Sequence, residues 1–349
     1  MYIYIIYFLL IFVIGFLFKN KLKSGDKNYI ILYSTIICSM LVFISGFRNS
    51  CVGIDTSMYQ YIWEGYRPGV YHNLDIDSEY GFAYLMIFFR QFSNYTTFLL
   101  VVACLSILPV GYIVSKYSKN VCFSFLLFYS SILFHTLEFA AERQAIAFGG
   151  VILAFHFLMK RNLKAYILIM FLSFFFHRSS IIFFPCYWLY DLKLDKKTIL
   201  IWIGILVGMF VFGSIVLKYL NSFWRQEYDV SEEEVGGARY FLLQCVIVAL
   251  GFYKYKLFNN NNLIKVPFLI YSISVLLWPI LRINPALFRL TYYFDFFVAI
   301  FIPNFIFALS THKNLRRALI AISVFMMLYV VLMMRTVEAY YPYKFVWEF

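Results

Sequence analysis

Apolar residues fill the chain in runs of roughly 15–20, broken by short polar connections. That is the length at which a helix rising 1.5 Å per residue crosses about 30 Å of hydrocarbon. The runs predict about twelve crossings, near 1–18, 29–47, 81–115, 121–137, 145–159, 163–176, 179–190, 198–217, 240–253, 267–281, 290–310 and 318–334. The third is long and holds a polar break, RQFSNYTT (90–97), so its first part reads as a partial or interfacial helix. No basic residue precedes the first run and no small-residue cleavage pattern follows it, so it reads as a retained helix.

Composition points the same way. With 63% hydrophobic and only 14% charged residues over 349 positions, the chain carries more apolar surface than a soluble domain can hide. The expected fold class is all-α: a polytopic transmembrane helical bundle of about twelve crossings, including short or broken helices. It forms a single integral membrane domain over 1–349, with extracytoplasmic loops at 48–80 and 218–239. Only Cys51 lies in a loop, and there is no CxxC or Cys/His cluster, so the cysteines read as small core hydrophobes.

The charges sort by connection. Lys19, Lys21, Lys23 and Lys27 open a basic series that continues through Lys116, Lys160, Lys193, Lys254 and Lys313 in alternate connections. Short basic loops stay cytoplasmic, which predicts both termini outside. The opposite face carries Arg48, Arg67, Arg143, Arg178, Arg225, Arg239, Arg282, Arg289 and Arg335, with only Lys218 and Lys344 among the lysines. A guanidinium stays charged when desolvated and grips phosphate or carboxylate with a planar fork. Salt bridges to the acids that gather on the same face are the plainer reading of any single arginine. The net charge of +12 is spread over two membrane faces and makes no case for nucleic acid.

Length adds depth to this picture. Runs 163–176 and 179–190 span only roughly 20 Å each, so the FHRSS turn between them places His177 and Arg178 below the outer surface, on the floor of a water-filled depression. Arg143 opens another short helix through ERQAIA (142–147), and Asp295 lies within the helix that follows Arg289. In RNSCVGIDTSMYQYI, Gly53 permits a turn, while Asp55 and Thr56 read as a helix cap or, functionally, Asp55 as a base or sugar-hydroxyl acceptor beside an Arg48 anion clamp. Tyr59, Tyr61 and Trp63 suit stacking on sugar rings or ordinary interfacial belting. Glu79 stands at a helix start, as a dipole partner or a general base. His135, Glu138 and Glu142 fall on one helical face by spacing; a metal site lacks companion ligands there, and orientation of nearby arginines is the favoured reading. Arg143 and Gln144 point elsewhere, towards the ligand. Arg282 and Arg289 flank a Pro-containing turn, with Tyr292 and Tyr293 on the face of Arg289. The aromatic tail YYPYKFVWEF (340–349) reads as an outer plug or cap.

The ordered set FRNSCVGIDTSMYQYI, EYGF, ERQAIAFGG, FFFHRSSIIFFP, FRLTYYF and YPYKF resembles the EpsG family of bacterial membrane proteins, counted among the Wzy-type O-antigen and exopolysaccharide polymerases. The likeness runs from about residue 40 to the C-terminus. By position, Arg48, Asp55, Glu79, Arg143, Gln144, His177 and Arg289 match the family's polar positions. The resemblance implies a GT-C-like outward-facing cavity in the bacterial cytoplasmic membrane. There a glycan on undecaprenyl pyrophosphate is transferred to another lipid-linked repeat unit. It implies no cofactor or metal, lipid-linked donor and acceptor as partners together with membrane lipid and a chain-length regulator protein, and no nucleic acid. The expected substrate-binding set is Arg48, Arg143, Gln144, Arg178, Arg282, Arg289 and Tyr293, with Asp55 or Glu79 as base and His177 as their rival.

Two other classes compete. A flippase or transporter of the lipid-linked unit predicts charges along a midplane pathway, whereas here they cluster outside. A membrane acyltransferase modifying surface glycans needs a catalytic histidine near the cytoplasmic face, where only His156 and His312 qualify. The chain has no nucleotide-binding glycine loop, GxSxG elbow, zinc signature or internal repeat.

Overall fold

The computed structural model describes residues 2–70, 79–224, 238–281, 285–309, 311–333 and 342–348. These are overwhelmingly helical, with no strand among the described residues. Six stretches among them are long and apolar enough to cross a membrane, or seven if one bent helix pair counts as a single span; shorter apolar helices accompany them. The protein is a multi-pass helical membrane protein. The chain forms two compact units, Met1–Phe184 with Met327–Phe349, and Pro185–Met326.

The first unit begins with α1 (Tyr2–Leu17), α2 (Lys19–Ser24), α3 (Lys27–Gly46), α4 (Thr56–Gly65), α5 (Tyr80–Arg90) and α6 (Tyr95–Tyr117). It continues with α7 (Val121–Tyr129), α8 (Ile132–Phe139), α9 (Glu142–Met159) and α10 (Leu163–Phe176). Short polar side chains start these helices: Asp26, Asn94, Asn120, Ser131 and Asn162 each accept a backbone N–H of the first turn, satisfying donors that the helix itself leaves unpaired. α3 packs on α6, α6 on α9 and α9 on α10. A Cβ on Gly149 would lie 2.0 Å from the Leu105 carbonyl oxygen, so only glycine lets α6 and α9 approach so closely, as small residues do between membrane helices.

Several apolar runs are interrupted. The third breaks at Gln91–Asn94 into α5 and α6, as its polar insert predicts. The run at 121–137 breaks into α7 and α8, which bend by 63°. α8 stops at Phe139 and α9 starts at Glu142, so His135, Glu138 and Glu142 do not share one continuous helical face. The run at 179–190 is a 3-10 segment, Arg178–Tyr190, with Pro185 inside it; proline cannot donate the backbone bond that an α-helix needs there.

The second unit contains α11 (Lys196–Trp224), α12 (Ala238–Tyr253), α13 (Asn262–Leu281), α14 (Tyr292–Asp295) and α15 (Val298–Ala308). The last helix, α16 (Lys313–Met333), runs on into the first unit's sequence. α13 packs against α11, α12 and α15. α11 extends into the expected loop 218–239, and residues 225–237 of that loop lie outside the described residues. The crossing expected at 290–310 is pieced together from a 3-10 turn, Pro285–Leu290, with α14 and α15. Asp295 is buried; its carboxylate accepts from Gln244 Nε2 at 2.8 Å and from the Thr291 hydroxyl at 2.8 Å.

The connection between α3 and α4 is held by close backbone contact. Gly53 has φ +106°, and a Cβ there would lie 1.5 Å from the Phe139 carbonyl oxygen. The Thr56 hydroxyl sits 2.8 Å from that same oxygen and 2.9 Å from Val52 O. The aromatic tail docks on this connection: Asn49 N donates to Lys344 O at 2.9 Å, Val346 N donates to Phe47 O at 2.8 Å, and the Tyr343 hydroxyl donates to Ile44 O at 2.5 Å. The tail is therefore a structural clasp. Gly53→Ala is expected to destabilise the protein by more than the ~1–3 kcal/mol of left-handed strain alone, because the backbone oxygen of Phe139 must also move. A thermal melt of the purified variant in detergent checks this, and an unchanged midpoint would refute it.

Candidate functional site

The ends of α3 and α10 and the starts of α6 and α9 converge, and most of the expected site residues of the first unit gather there. Arg48 is 2% exposed. Its Nη1 donates to Ser45 O at 2.6 Å and its Nη2 to Glu142 Oε1 at 3.2 Å. The Tyr95 hydroxyl lies 2.6 Å from the same carboxylate oxygen, and Ser45 Oγ donates to Glu138 Oε2 at 3.0 Å. Both terminal nitrogens of the expected anion clamp are thus engaged by the protein, and Arg48 acts as a buried strut. Its Nε has no hydrogen-bond partner among the described residues. Of the acids in the HTLEFAAERQ stretch, Glu142 orients an arginine, while His135 is packed among Tyr4, Tyr129, Phe134 and Phe139. No group of three or more His, Cys, Asp or Glu side chains among the described residues is placed to hold a metal ion.

A second cluster forms one residue further along α9. Arg143 Nη1 lies 3.2 Å from Glu79 Oε2, and Arg143 Nε donates to the Tyr59 hydroxyl at 3.0 Å. Glu79 Oε1 is 2.6 Å from His177 Nδ1 and accepts the Arg178 backbone N–H at 3.1 Å. The Arg143 side chain is 38% exposed, that of His177 24%, and that of Glu79 9%. Burial works to raise the Glu79 carboxyl, but the His177 hydrogen bond and charge, the Arg143 guanidinium and the Arg178 N–H together outweigh it, holding the carboxyl below its ordinary 4.5. Burial pushes the Tyr59 hydroxyl up to about 12 against the opposing pull of Arg143, with Glu142 and Asp55 adding to the rise. No other hydrogen bond of the His177 side chain is present among the described residues, so in the neutral ring Nδ1–H towards Glu79 leaves Nε2 as an acceptor.

The remaining expected residues fall as follows. Asp55 precedes α4, half-buried, and its side chain makes no capping bond. Gln144 is buried within α9. Arg289 and the buried Tyr293 belong to the second unit, and Arg282 lies outside the described residues. A cavity of about 490 Å³ opens beside Arg48, walled by Gln60, Trp63 and Glu64 of α4, Arg90 at the end of α5, and Asn94 and Tyr95 at the start of α6. Arg48 lines it; Asp55, Glu79, Arg143 and His177 are not among its walls. Arg90, whose guanidinium sits 5.7 Å from the Trp63 ring centroid and whose Nε donates to Tyr66 O at 3.1 Å, went unnoticed in the sequence. It opens the RQFSNYTT insert, and that unexplained polar break inside an apolar run was the available signal.

Two measurements test this geometry. Removing one partner of a buried ion pair costs about 3–5 kcal/mol, so Arg48→Met or Glu142→Gln alone should lower the melting temperature sharply. The double variant should lose less than the sum, by about 1–3 kcal/mol of coupling; additive losses would exclude the strut. For Glu79, a carboxyl held below its unfolded value adds stability that is complete at neutral pH and is lost as pH falls through the folded value. Wild type should therefore outlast Glu79→Gln at pH 7, and the two should converge on acidification below 4.5. A gap that persists in acid would show that the charge is not what matters.

Comparison with known proteins adds one match. No curated protein and no solved structure is significantly similar to this chain. The family model described as EpsG family matches residues 31–345, from early in α3 to the aromatic tail, and so takes in both clusters of the first unit. The chain belongs to the EpsG family.

Proposed function

We propose that the protein joins lipid-linked oligosaccharide repeat units into a surface polysaccharide on the outer face of the bacterial cytoplasmic membrane. The donor is a glycan on undecaprenyl pyrophosphate, and the acceptor is the terminal sugar of another lipid-linked unit. The observation that carries the reading is the Glu79–His177 pair at 2.6 Å with the half-exposed Arg143 beside it. Family membership supports the same class of activity.

The pair divides the expected catalytic roles. Glu79 is held ionised by its neighbours, which makes it a weak base and a good orienter. By accepting from Nδ1 it fixes the His177 tautomer and turns Nε2 into the base, as a carboxylate does for a catalytic histidine elsewhere. His177 Nε2 takes the proton of the acceptor hydroxyl as that oxygen bonds the anomeric carbon of the donor. The bond from that carbon to the phosphate oxygen breaks, and undecaprenyl pyrophosphate leaves with the electron pair. Arg143 faces the developing charge; a charge-assisted hydrogen bond to such a group contributes about 1.5–3 kcal/mol.

Deleting the gene should leave a single repeat unit on the acceptor lipid, seen as collapse of the sugar ladder on a gel. His177→Ala should reduce long chains by about 10²–10⁴-fold, the usual contribution of a general base, with the protein still present in the membrane. Glu79→Gln should retain more activity than His177→Ala. An unchanged ladder in His177→Ala would remove the histidine from the chemistry, and an unchanged ladder in the deletion would remove the polymerase reading itself.

A further inference from the structure

The cavity beside Arg48 is unassigned by the chemistry above. Gln60, Trp63 and Glu64 recur at i, i+3 and i+4, so one face of α4 forms a wall, and Arg90 and Asn94 face it from the ends of α5 and α6. At about 490 Å³ the space falls within the ~300–1,000 Å³ range of small-molecule sites.

Its charge argues against an anion. The Arg48 charge is already matched by Glu142 at 3.2 Å, and Glu64 brings a carboxylate into the same lining as Arg90. No lysine lines it among the described residues. Phosphate oxygens only accept hydrogen bonds, and a carboxylate in the wall would repel them. Hydroxyls both donate and accept, as this mixture of amide, carboxylate and guanidinium groups requires. Gln60 Nε2 donates to Glu64 Oε1 at 2.9 Å, which holds the amide and carboxylate side by side.

We infer that this cavity is a subsite for an uncharged stretch of oligosaccharide, with Gln60 and Glu64 reading vicinal hydroxyls and the half-buried Tyr95 giving an apolar edge to the rings. Assigning that sugar to the lipid-linked repeat unit rests on the polymerase reading; the hydroxyl-binding chemistry does not.

The test uses the full-length protein in nanodiscs and the lipid- and phosphate-free repeat-unit oligosaccharide released from host lipid-linked intermediates by mild acid. Calorimetry should show saturable binding that weakens at least tenfold in Gln60→Ala and in Glu64→Gln. Gln60 is half-buried and Glu64 exposed, so both variants should elute as wild type. Excess inorganic pyrophosphate should not displace the sugar. Absence of binding, wild-type affinity in both variants, or displacement by pyrophosphate would each overturn the subsite. If binding depends on Gln60 while the deletion strain keeps its ladder, the cavity stands and the polymerase reading falls. If His177→Ala collapses the ladder while both cavity variants bind normally, the reverse holds.

Discussion

The buried contact between Arg48 and Glu142 is the constraint on which the rest of this end of the bundle depends. It joins the second residue past α3 to the first residue of α9, in surroundings where neither charge reaches water. An unpaired charge there is far costlier than the pair, so the two helix ends are tied together. Tyr95 at the start of α6 adds its hydroxyl to the same carboxylate, and the C-terminal clasp closes over the segment that carries Arg48. Successive helical residues point about 100° apart. Fixing Glu142 inward therefore fixes Arg143 towards Tyr59 and Glu79. One helix start serves the packing on one side and the exposed cluster on the other.

Much of this was legible in the sequence because the signals are local. The apolar runs gave the helices, the polar insert RQFSNYTT gave the break between α5 and α6, and Gly53 marked a turn that no larger residue fits. The break between α8 and α9 was only half legible: the runs 121–137 and 145–159 left a gap there, but the spacing of His135, Glu138 and Glu142 read across it as one helix. Phe139-Ala140-Ala141-Glu142 holds no proline or glycine, and its residues favour a helix. What stops it is tertiary: the Phe139 carbonyl is approached by Gly53 and by the Thr56 hydroxyl, from a segment more than eighty positions earlier. Helical spacing therefore put Glu138 and Glu142 on one face, when they stand on separate helices that both meet the α3 end.

The sorting of arginine and lysine also takes on a second meaning. Guanidinium resists deprotonation when desolvated and offers a fork of donors, properties that a buried strut needs as much as an anion clamp does. Arg48 uses them as a strut, with the Ser45 carbonyl and Glu142 as partners. Arg143 is half-exposed and keeps part of its fork towards solvent. Enrichment in arginine alone cannot separate these uses; the exposure of each side chain does.

The same logic distinguishes the two regions that flank α4. On one side Tyr59 meets Arg143, where Glu79 stands within hydrogen-bonding reach of both His177 and the half-exposed guanidinium. Further round the same helix, Gln60 and Glu64 line a cavity in which the Arg48 charge is already matched by Glu142. A leaving diphosphate gains most where a cation has spare donors, and a polyol gains most where donors and acceptors alternate. A wall one helix thick can separate such environments because its adjacent residues look in different directions. The proposed reaction at a sugar hydroxyl beside a charged leaving group calls for both environments close together, and α4 contributes to each, Tyr59 to one and Gln60 and Glu64 to the other.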